Sequence, residues 1–158
     1  MKPAALLVIL AVTAGCAQNI EVEKVLQVTD VNTGWYDAGI MQDGKNKLVP
    51  SVSLKLRNVS SEPVSNVQIN AIFRRVGETE AWGEHFVSAI GRGGLAAGAA
   101  GRDIVLRSGL GYTGTEPRAQ MLRNREFIDA KVDIFAKHGS RTWVKLGEYK
   151  IDRQLLTE

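Results

Sequence analysis

The side chains that could act as nucleophiles, proton carriers or metal ligands are few in this sequence. It holds one cysteine, Cys16, and two histidines, His85 and His138. A zinc site normally takes three or four nitrogen or sulfur ligands, and once Cys16 is modified only the two histidines remain, so no zinc site is expected. Glu84 and His85 are adjacent, and adjacent strand residues point to opposite faces, so the pair is not expected to share a proton. The sequence therefore predicts neither an enzyme site nor a metal site.

Residues 109–114 fit the G-x-G-x-x-G expression of dinucleotide-binding loops. A dinucleotide loop requires a parallel strand, helix and strand, whereas the residues that follow here predict an antiparallel hairpin. The alternative, a tightly turning or mobile surface loop, is therefore favoured. We expect no nucleotide cofactor and no other cofactor.

Aromatic residues are the remaining candidates, for binding rather than for catalysis. Five of them stand in segments predicted to be irregular, glycine-rich or weakly strand-like: Trp35, Tyr36, Trp82, Phe86 and Tyr112. Exposed aromatic side chains on loops often anchor interfaces. The alternative is that each side chain closes an end of the folded domain, and the sequence leaves both interpretations open. Trp143 is expected to pack on the final sheet.

Basic and acidic side chains nearly balance in this chain. There are 20 Lys and Arg against 17 Asp and Glu, which gives a formal net charge of +3. The tightest basic pairs are Arg74 with Arg75 and Arg123 with Arg125, and both are interpreted as solvated ends of strands or helices. Because a clustered basic face is what contacts phosphate groups, nucleic acid is not an expected partner.

The first residues follow the order of an export signal. Lys2 supplies a positive charge, residues 4–12 are all apolar, and Thr13, Ala14 and Gly15 precede Cys16. The apolar run is shorter than the roughly 20 residues that a membrane-spanning helix needs, so it is interpreted as a segment removed after export. Residues 1–15 are therefore predicted to be a signal peptide.

The small residues Ala14 and Gly15 directly before Cys16 resemble the lipobox of bacterial lipoproteins. The resemblance implies that Cys16 becomes the acylated first residue of the mature protein, with chains such as palmitate holding it on a membrane. Ala17 stands where inner-membrane lipoproteins carry aspartate, which in a Gram-negative host implies the outer membrane, facing the periplasm. The alternative is an ordinary secreted protein with one unpaired thiol. Residues 16–21 would form a short tether that keeps the domain near the bilayer.

Residues 22–158 have the size of one domain and the pattern of an all-β protein. Apolar and polar residues alternate clearly in three segments, and a returning strand follows the last of them: 49–59, 67–74, 128–136 and 144–146. Weaker strands are expected at 21–31, 82–90 and 104–106, and one short helix after Thr115, with Met121 and Leu122 buried. About seven strands with frequent turns are typical of an antiparallel β-sandwich or barrel.

Residues 54–73, together with the Leu95-Ala96-Ala97-Gly98 loop, resemble the immunoglobulin-like FxLYD-type domains of bacterial surface proteins. The shared features are a strand that ends at Asn58 before a polar turn, a valine-rich partner strand and the Leu-x-x-Gly loop. The resemblance implies an immunoglobulin-like β-sandwich in an extracytoplasmic setting.

The expected function is that of a membrane-anchored, non-catalytic accessory or scaffold lipoprotein, which meets an envelope protein through loops or an open sheet edge. The alternative is a lipoprotein that captures a glycan, lipid or peptide at the loops of Trp35, Trp82 and Tyr112. An open aromatic pocket would favour ligand capture, and a flat exposed patch would favour the accessory function. An envelope hydrolase would need acids or hydroxyls that converge in a cleft, which the sequence gives no reason to expect.

Overall fold

The computed structural model describes residues 20–156 of the chain. The predicted signal peptide, the predicted lipidation site Cys16 and most of the predicted tether lie outside these residues. Two helices of four residues are described, α1 (Val22–Val25) and α2 (Arg118–Met121). The strands, in chain order, are β1 (Leu26–Ile40), β2 (Asn46–Asn58), β3 (Val67–Arg75), β4 (Gly83–Ile90), β5 (Ile104–Arg107), β6 (Tyr112–Gly114), β7 (Ala130–His138), β8 (Val144–Lys150) and β9 (Leu155–Leu156).

The strands form two sheets. In the first sheet the order is β5-β2-β1-β9, and β6 also pairs with β2. β1 and β2 make a long antiparallel hairpin that runs from Leu26 opposite Asn58 to Ile40 opposite Asn46. β9 pairs with β1 in parallel, and the second sheet has the antiparallel order β4-β3-β7-β8.

The core between the sheets follows from the alternation in the sequence. Because successive side chains of a strand point to opposite faces, every second residue of β3 and β7 enters the interior. The fully buried members are Val67, Ile69, Ala71 and Phe73 from β3, and Ala130, Val132, Ile134 and Ala136 from β7. Val52, Leu54 and Leu56 of β2 face them and are equally buried. The predicted alternation is thus confirmed in all three strands.

The strand order is that of an immunoglobulin-like sandwich. β1, β2 and β5 take the places of the A, B and E strands, and β3, β7 and β8 take those of C, F and G, with β4 as an added edge. The predicted fold class, an all-β antiparallel sandwich, is confirmed. Two short strands, β6 and β9, add to the predicted seven strands. The helix α1 occupies residues 22–25, so the prediction that a strand begins at residue 21 is wrong, and β1 begins at Leu26.

The two ends of the sandwich differ, and we name them by their positions. The N-terminal end carries α1 and the turns 59–66 and 139–143, and the far end carries the 41–45 hairpin turn, the 76–82 turn and α2. With about 3.3 Å per residue, β1 covers roughly 45–50 Å between these ends. Across residues 20–156 we find no helix with the length and apolar character needed to cross a membrane.

Asn58 links two loops at the N-terminal end. Its side chain is fully buried, and its amide nitrogen lies 2.8 Å from the carbonyl oxygen of Glu62 and 3.0 Å from that of Leu95. Its amide oxygen accepts a hydrogen bond from the Ser60 N–H at 3.0 Å. The polar turn and the Leu-x-x-Gly loop, which are distant in sequence, are therefore held by one side chain.

Candidate functional site

Trp35 lies at the centre of an aromatic cluster inside the far end of the sandwich. It is completely buried, and its ring centroid lies 4.6 Å from that of Phe127, 5.6 Å from that of Tyr112 and 6.2 Å from that of Trp82. The prediction that Trp35 and Tyr36 lie in an irregular stretch is wrong, because β1 continues through both residues. A buried ring at this place fills the core and offers no surface for a ligand.

Tyr112 and Trp82 complete this cluster, with ring centroids 5.0 Å apart. The Tyr112 hydroxyl donates to the carbonyl oxygen of Ile128 at 3.0 Å and accepts from the Ile128 N–H at 3.2 Å. The guanidinium carbon of Arg75 lies 5.6 Å from the Trp82 ring centroid. Three of the five aromatic candidates thus close the far end, and Phe127, which the sequence did not single out, joins them.

Tyr36 points away from the core, on the face of β1 opposite Trp35. The guanidinium carbon of Arg107 lies 3.5 Å from its ring centroid, a cation–π distance. Tyr36 is partly exposed and lies on the first sheet, whereas Phe86 lies on the second. The structure therefore does not bring these two candidates together.

Phe86 is the most exposed of the five candidates, with 53% of its surface accessible. It lies on the outer face of β4, and its ring meets Trp143 edge to face at a centroid distance of 6.0 Å and an angle of 84°. Lys137 places its ammonium nitrogen 4.8 Å from the Trp143 ring centroid. We call Phe86, Trp143, Phe135 and Lys137, with the amides of Gln68 and Asn70 between them, the aromatic sheet face.

The register of the second sheet explains how the aromatic sheet face forms. Gln68 of β3 is opposite Ser88 on one side and Lys137 on the other, and Asn70 is opposite Phe86 and Phe135. Gln68 and Asn70 therefore lie on β3, between β4, which carries Phe86, and β7, which carries Phe135. Within residues 20–156, the side-chain oxygens Oε1 of Gln68 and Oδ1 of Asn70 are buried and have no hydrogen-bond partner.

Charged residues occupy the other half of the same outer face. Asp133 is only 5% exposed and pairs with Arg74, and the Lys145 Nζ lies 2.6 Å from its Oδ1. Lys145 also lies 2.9 Å from Glu148. The hydrogen bond from Lys145 lowers the pKa of Glu148 to about 2, and the hydrogen bond to Asp133 raises the pKa of Lys145. The formal charges of Arg74 and Lys145 balance those of Asp133 and Glu148 within this cluster.

Glu84 and His85 point to opposite faces of β4, as predicted. Glu84 accepts a hydrogen bond from the Asn70 amide at 3.3 Å on the outer face. The Nδ1 of His85 lies 3.0 Å from the N–H of Arg107, which donates to it. His85 therefore joins β4 to β5 across the edge of the sandwich and does not face Glu84.

The glycine-rich loop, predicted to be a surface loop, forms a short strand. Tyr112, the first residue of β6, pairs with Leu48 of β2. A Cβ at Gly111 would collide with the carbonyl oxygen of Leu48. The glycine is therefore needed for a close approach between two backbones. The loop leads into the four-residue helix α2, in which Met121 is buried as predicted, and Leu122 follows it, also buried.

The basic pairs and the two histidines lie apart from one another in the structure. Arg75 pairs with Glu78 at 2.9 Å, and Arg123 and Arg125 are exposed at the far end. His138 ends β7 at the N-terminal end, far along the sheet from His85. In the part of the chain that the structure describes, no three His, Cys, Asp or Glu residues are arranged to hold a metal ion.

Trp143 and the two amides of the aromatic sheet face were not among the predicted site residues. The signal for them is present in the sequence, since Gln68 and Asn70 occupy the polar positions of the β3 alternation and Phe86 shares the outward position of β4 with Glu84. The distance between Phe86 and Trp143 depends on two strands that lie between them, which local patterns do not reveal.

No protein-family model matches this chain, and no curated protein matches its sequence. The fold and the placement of side chains are therefore the basis of the proposals that follow.

Proposed function

We propose that this chain is an exported lipoprotein, anchored through Cys16 to the outer membrane and facing the periplasm, with a domain that acts as a non-catalytic accessory or scaffold in an envelope assembly. Its proposed partners are the membrane, through the acylated cysteine, and at least one envelope protein. The observation that carries the proposal is the distribution of exposed apolar side chains over the two ends of the sandwich.

Nine large apolar side chains are exposed among the described residues, and six of them lie at or towards the far end: Ile40, Met41, Val76, Leu110, Ile128 and Leu155. Ile40 is 69% exposed and stands at the hairpin turn. Exposed apolar side chains of this kind favour contact with another protein. The chain that leads towards Cys16 leaves from the opposite end, so an anchored domain would present these side chains away from the bilayer.

The far end is braced by charged side chains, which supports its use as a docking surface. Arg118 of α2 pairs with Asp37 of β1, and this hydrogen bond lowers the pKa of Asp37. Arg153 donates to Asp129 at 2.6 Å and to the carbonyl oxygen of Phe127 at 2.8 Å. A preorganised surface loses less conformational freedom on binding, which favours affinity.

Ligand capture at the loops of Trp35, Trp82 and Tyr112 has less support. Those three side chains pack against one another and against Phe127. The surface pocket beside Tyr112 is lined by Phe127, Met121 and Glu126 and not by Trp35 or Trp82, so the three rings do not form one binding surface. An open aromatic pocket would favour ligand capture, so the packing of these rings against one another favours the accessory function.

The anchor is tested first, by feeding host cells an alkyne-bearing palmitate analogue and comparing the native chain with Cys16→Ser. We expect label on the native chain, a mature mass that begins at Cys16, and no label on the variant. Recovery of unlabelled chain that still begins at Met1 would refute the lipoprotein assignment.

The accessory function is tested by capture from membranes with the anchored chain. The double variant Ile40→Ser with Met41→Ser removes apolar surface at the far end, and Val59→Ser removes a half-exposed apolar side chain at the N-terminal end as a matched control. We expect the same envelope proteins with the native chain and with Val59→Ser, and their loss with the double variant. Equal capture by all three forms would contradict the proposal.

A further inference from the structure

We propose that the aromatic sheet face binds an oligosaccharide, with preference for one that carries carboxylate groups. This inference goes beyond the proposed accessory function, and it does not depend on acylation of Cys16. It rests on three observations on the outer face of the second sheet: an aromatic pair with one exposed and one partly exposed ring, two amides whose oxygens have no partner within residues 20–156, and a lysine that makes no ion pair there.

The aromatic pair supplies the apolar surface. Phe86 and Trp143 meet edge to face, so together they form an angled apolar corner on this face. The faces of a pyranose ring carry C–H groups and its rim carries hydroxyls, so such a ring can pack against an aromatic side chain while its hydroxyls reach neighbouring polar groups. Phe86 lies on the edge strand β4 and is half exposed, which leaves its ring free to change rotamer when a ligand arrives.

The two amides supply hydrogen-bonding capacity that the fold does not use. The buried oxygens of Gln68 and Asn70 have no donor within residues 20–156, although buried polar groups in folded proteins are nearly always paired. A sugar hydroxyl both donates and accepts, so it can pair with either end of a side-chain amide. Phe86 is opposite Asn70 in the strand register, so a change in the position of its ring would alter access to that amide.

Lys137 supplies the charge. It faces Gln68 across β3 and β7, and its ammonium group lies over the Trp143 ring. Among the described residues it makes no ion pair, whereas Lys131, Lys145 and Lys150 all pair with acidic side chains. A carboxylate on the ligand would complete this pair, and charge-assisted hydrogen bonds are the stronger kind.

Binding is measured on the full chain purified in detergent, by titration calorimetry and tryptophan fluorescence. The probes are tetragalacturonate, which is carboxylated, and the neutral tetramer of β-1,4-linked N-acetylglucosamine. We expect tetragalacturonate to bind and to change the emission of Trp143. Trp143→Ala and Phe86→Ala should each weaken binding about tenfold or more, as removal of a central aromatic contact does.

Two further variants separate the contributions of charge and amide. Lys137→Gln should weaken tetragalacturonate binding several-fold and leave any binding of the neutral tetramer unchanged. Gln68→Met replaces an unpartnered buried amide by an apolar side chain of similar length, so it should weaken binding while the thermal midpoint of unfolding stays the same or rises. A purely structural role for Gln68 predicts the opposite, a lower midpoint.

Val105→Ala, on the exposed face of the first sheet, serves as the control and should leave binding unchanged. The proposal is overturned if neither tetramer binds at millimolar concentration, or if the control variant loses as much affinity as Trp143→Ala. It is also overturned if sedimentation shows a dimer that dissociates on Trp143→Ala, because a second copy of the chain would then cover this face. Failure of the acylation test leaves this result unaffected.

Discussion

Asn58 is a fully buried polar side chain whose amide meets carbonyl oxygens from two separate loops. Its two N–H groups are shared among three acceptors, since the carbonyl oxygen of Ala96 also lies within 3.2 Å. An aspartate has the same shape but no N–H to donate, so it would place a carboxylate against these oxygens. Asn58 therefore depends on its amide and not only on its size.

We predict that Asn58→Asp lowers the free energy of unfolding by about 3 kcal/mol or more, because several buried groups lose their partners at once. Asn66→Asp, the same chemical change at an exposed position of the same end, should change it by less than about 0.5 kcal/mol. Urea unfolding followed by circular dichroism measures both variants. Equal midpoints for the two variants would show that the Asn58 amide is not needed.

Glu148 is an exposed carboxyl whose pKa is held at about 2, chiefly by the hydrogen bond from Lys145, with the ammonium group of Lys131 as a further favourable contact. We predict that a carboxyl-carbon NMR titration of the native chain gives this value. In Lys145→Gln the pKa of Glu148 should move up towards the ordinary value of about 4.3. A native Glu148 that already titrates in the ordinary range would contradict the charge cluster.

At the scale of the strands, alternation in the sequence predicted β2, β3 and β7 because apolar residues occupy the buried face of each strand and mostly polar residues occupy the other face. β1 was predicted only as far as residue 31, and two features explain the difference. Asp30 has a φ of 52°, and the pairing with β2 shifts between Thr29 and Asn32, so the alternation changes phase there. A bulge of this kind interrupts the period of two that sequence patterns depend on.

Gly34 shows a second feature of β1 that the local sequence pattern does not predict. A glycine beside Trp35 was interpreted as part of an irregular segment, yet it lies within β1, where a Cβ would come within 2.7 Å of the Leu156 side chain. The glycine is required because β9 crosses there, and β9 follows more than a hundred residues later. Contacts between segments so far apart leave no trace in the local pattern, and the same holds for Phe86 and Trp143.

Gly111 allows a direct test of how β6 is attached to β2. We predict that Gly111→Ala lowers the free energy of unfolding by about 2 kcal/mol or more, because the added methyl group collides with backbone at Leu48. Gly109→Ala is the control, since a Cβ there meets nothing within 4 Å. Urea midpoints measure both variants, and a tolerated Gly111→Ala would mean that β6 does not depend on this close approach.

At the scale of the whole molecule, carboxyl groups with lowered pKa values link folding to pH, among them Asp37, Asp129 and Glu148. Hydrogen bonds from Arg118, Arg153 and Lys145 lower the pKa values of Asp37, Asp129 and Glu148, respectively. A carboxyl whose pKa is lower in the folded state stabilises the fold above its unfolded pKa, near 4, and loses that contribution as the pH falls through its folded pKa. These groups thus stabilise the protein at neutral pH and cease to do so in acid.

We therefore predict that the urea midpoint is nearly constant between about pH 5 and pH 8 and falls steadily below about pH 4. A triple variant, Asp37→Asn with Asp129→Asn and Glu148→Gln, should start from a lower midpoint at neutral pH and lose less on acidification. A native midpoint that rises below pH 4, or a triple variant with the native acid slope, would contradict the assignment.

β1 has a mechanical consequence, because this one strand, despite its bulge at Asp30, reaches from the N-terminal end to the hairpin turn beside Ile40. Tension applied between those two places would run along the covalent backbone of that strand. An extended strand already has about 3.3 Å per residue of the 3.6 Å that a chain can reach, so it can lengthen only slightly. Most of this tension would act along β1 and not across the pairing of the two sheets. We therefore expect the domain to resist extension between these two places without unfolding.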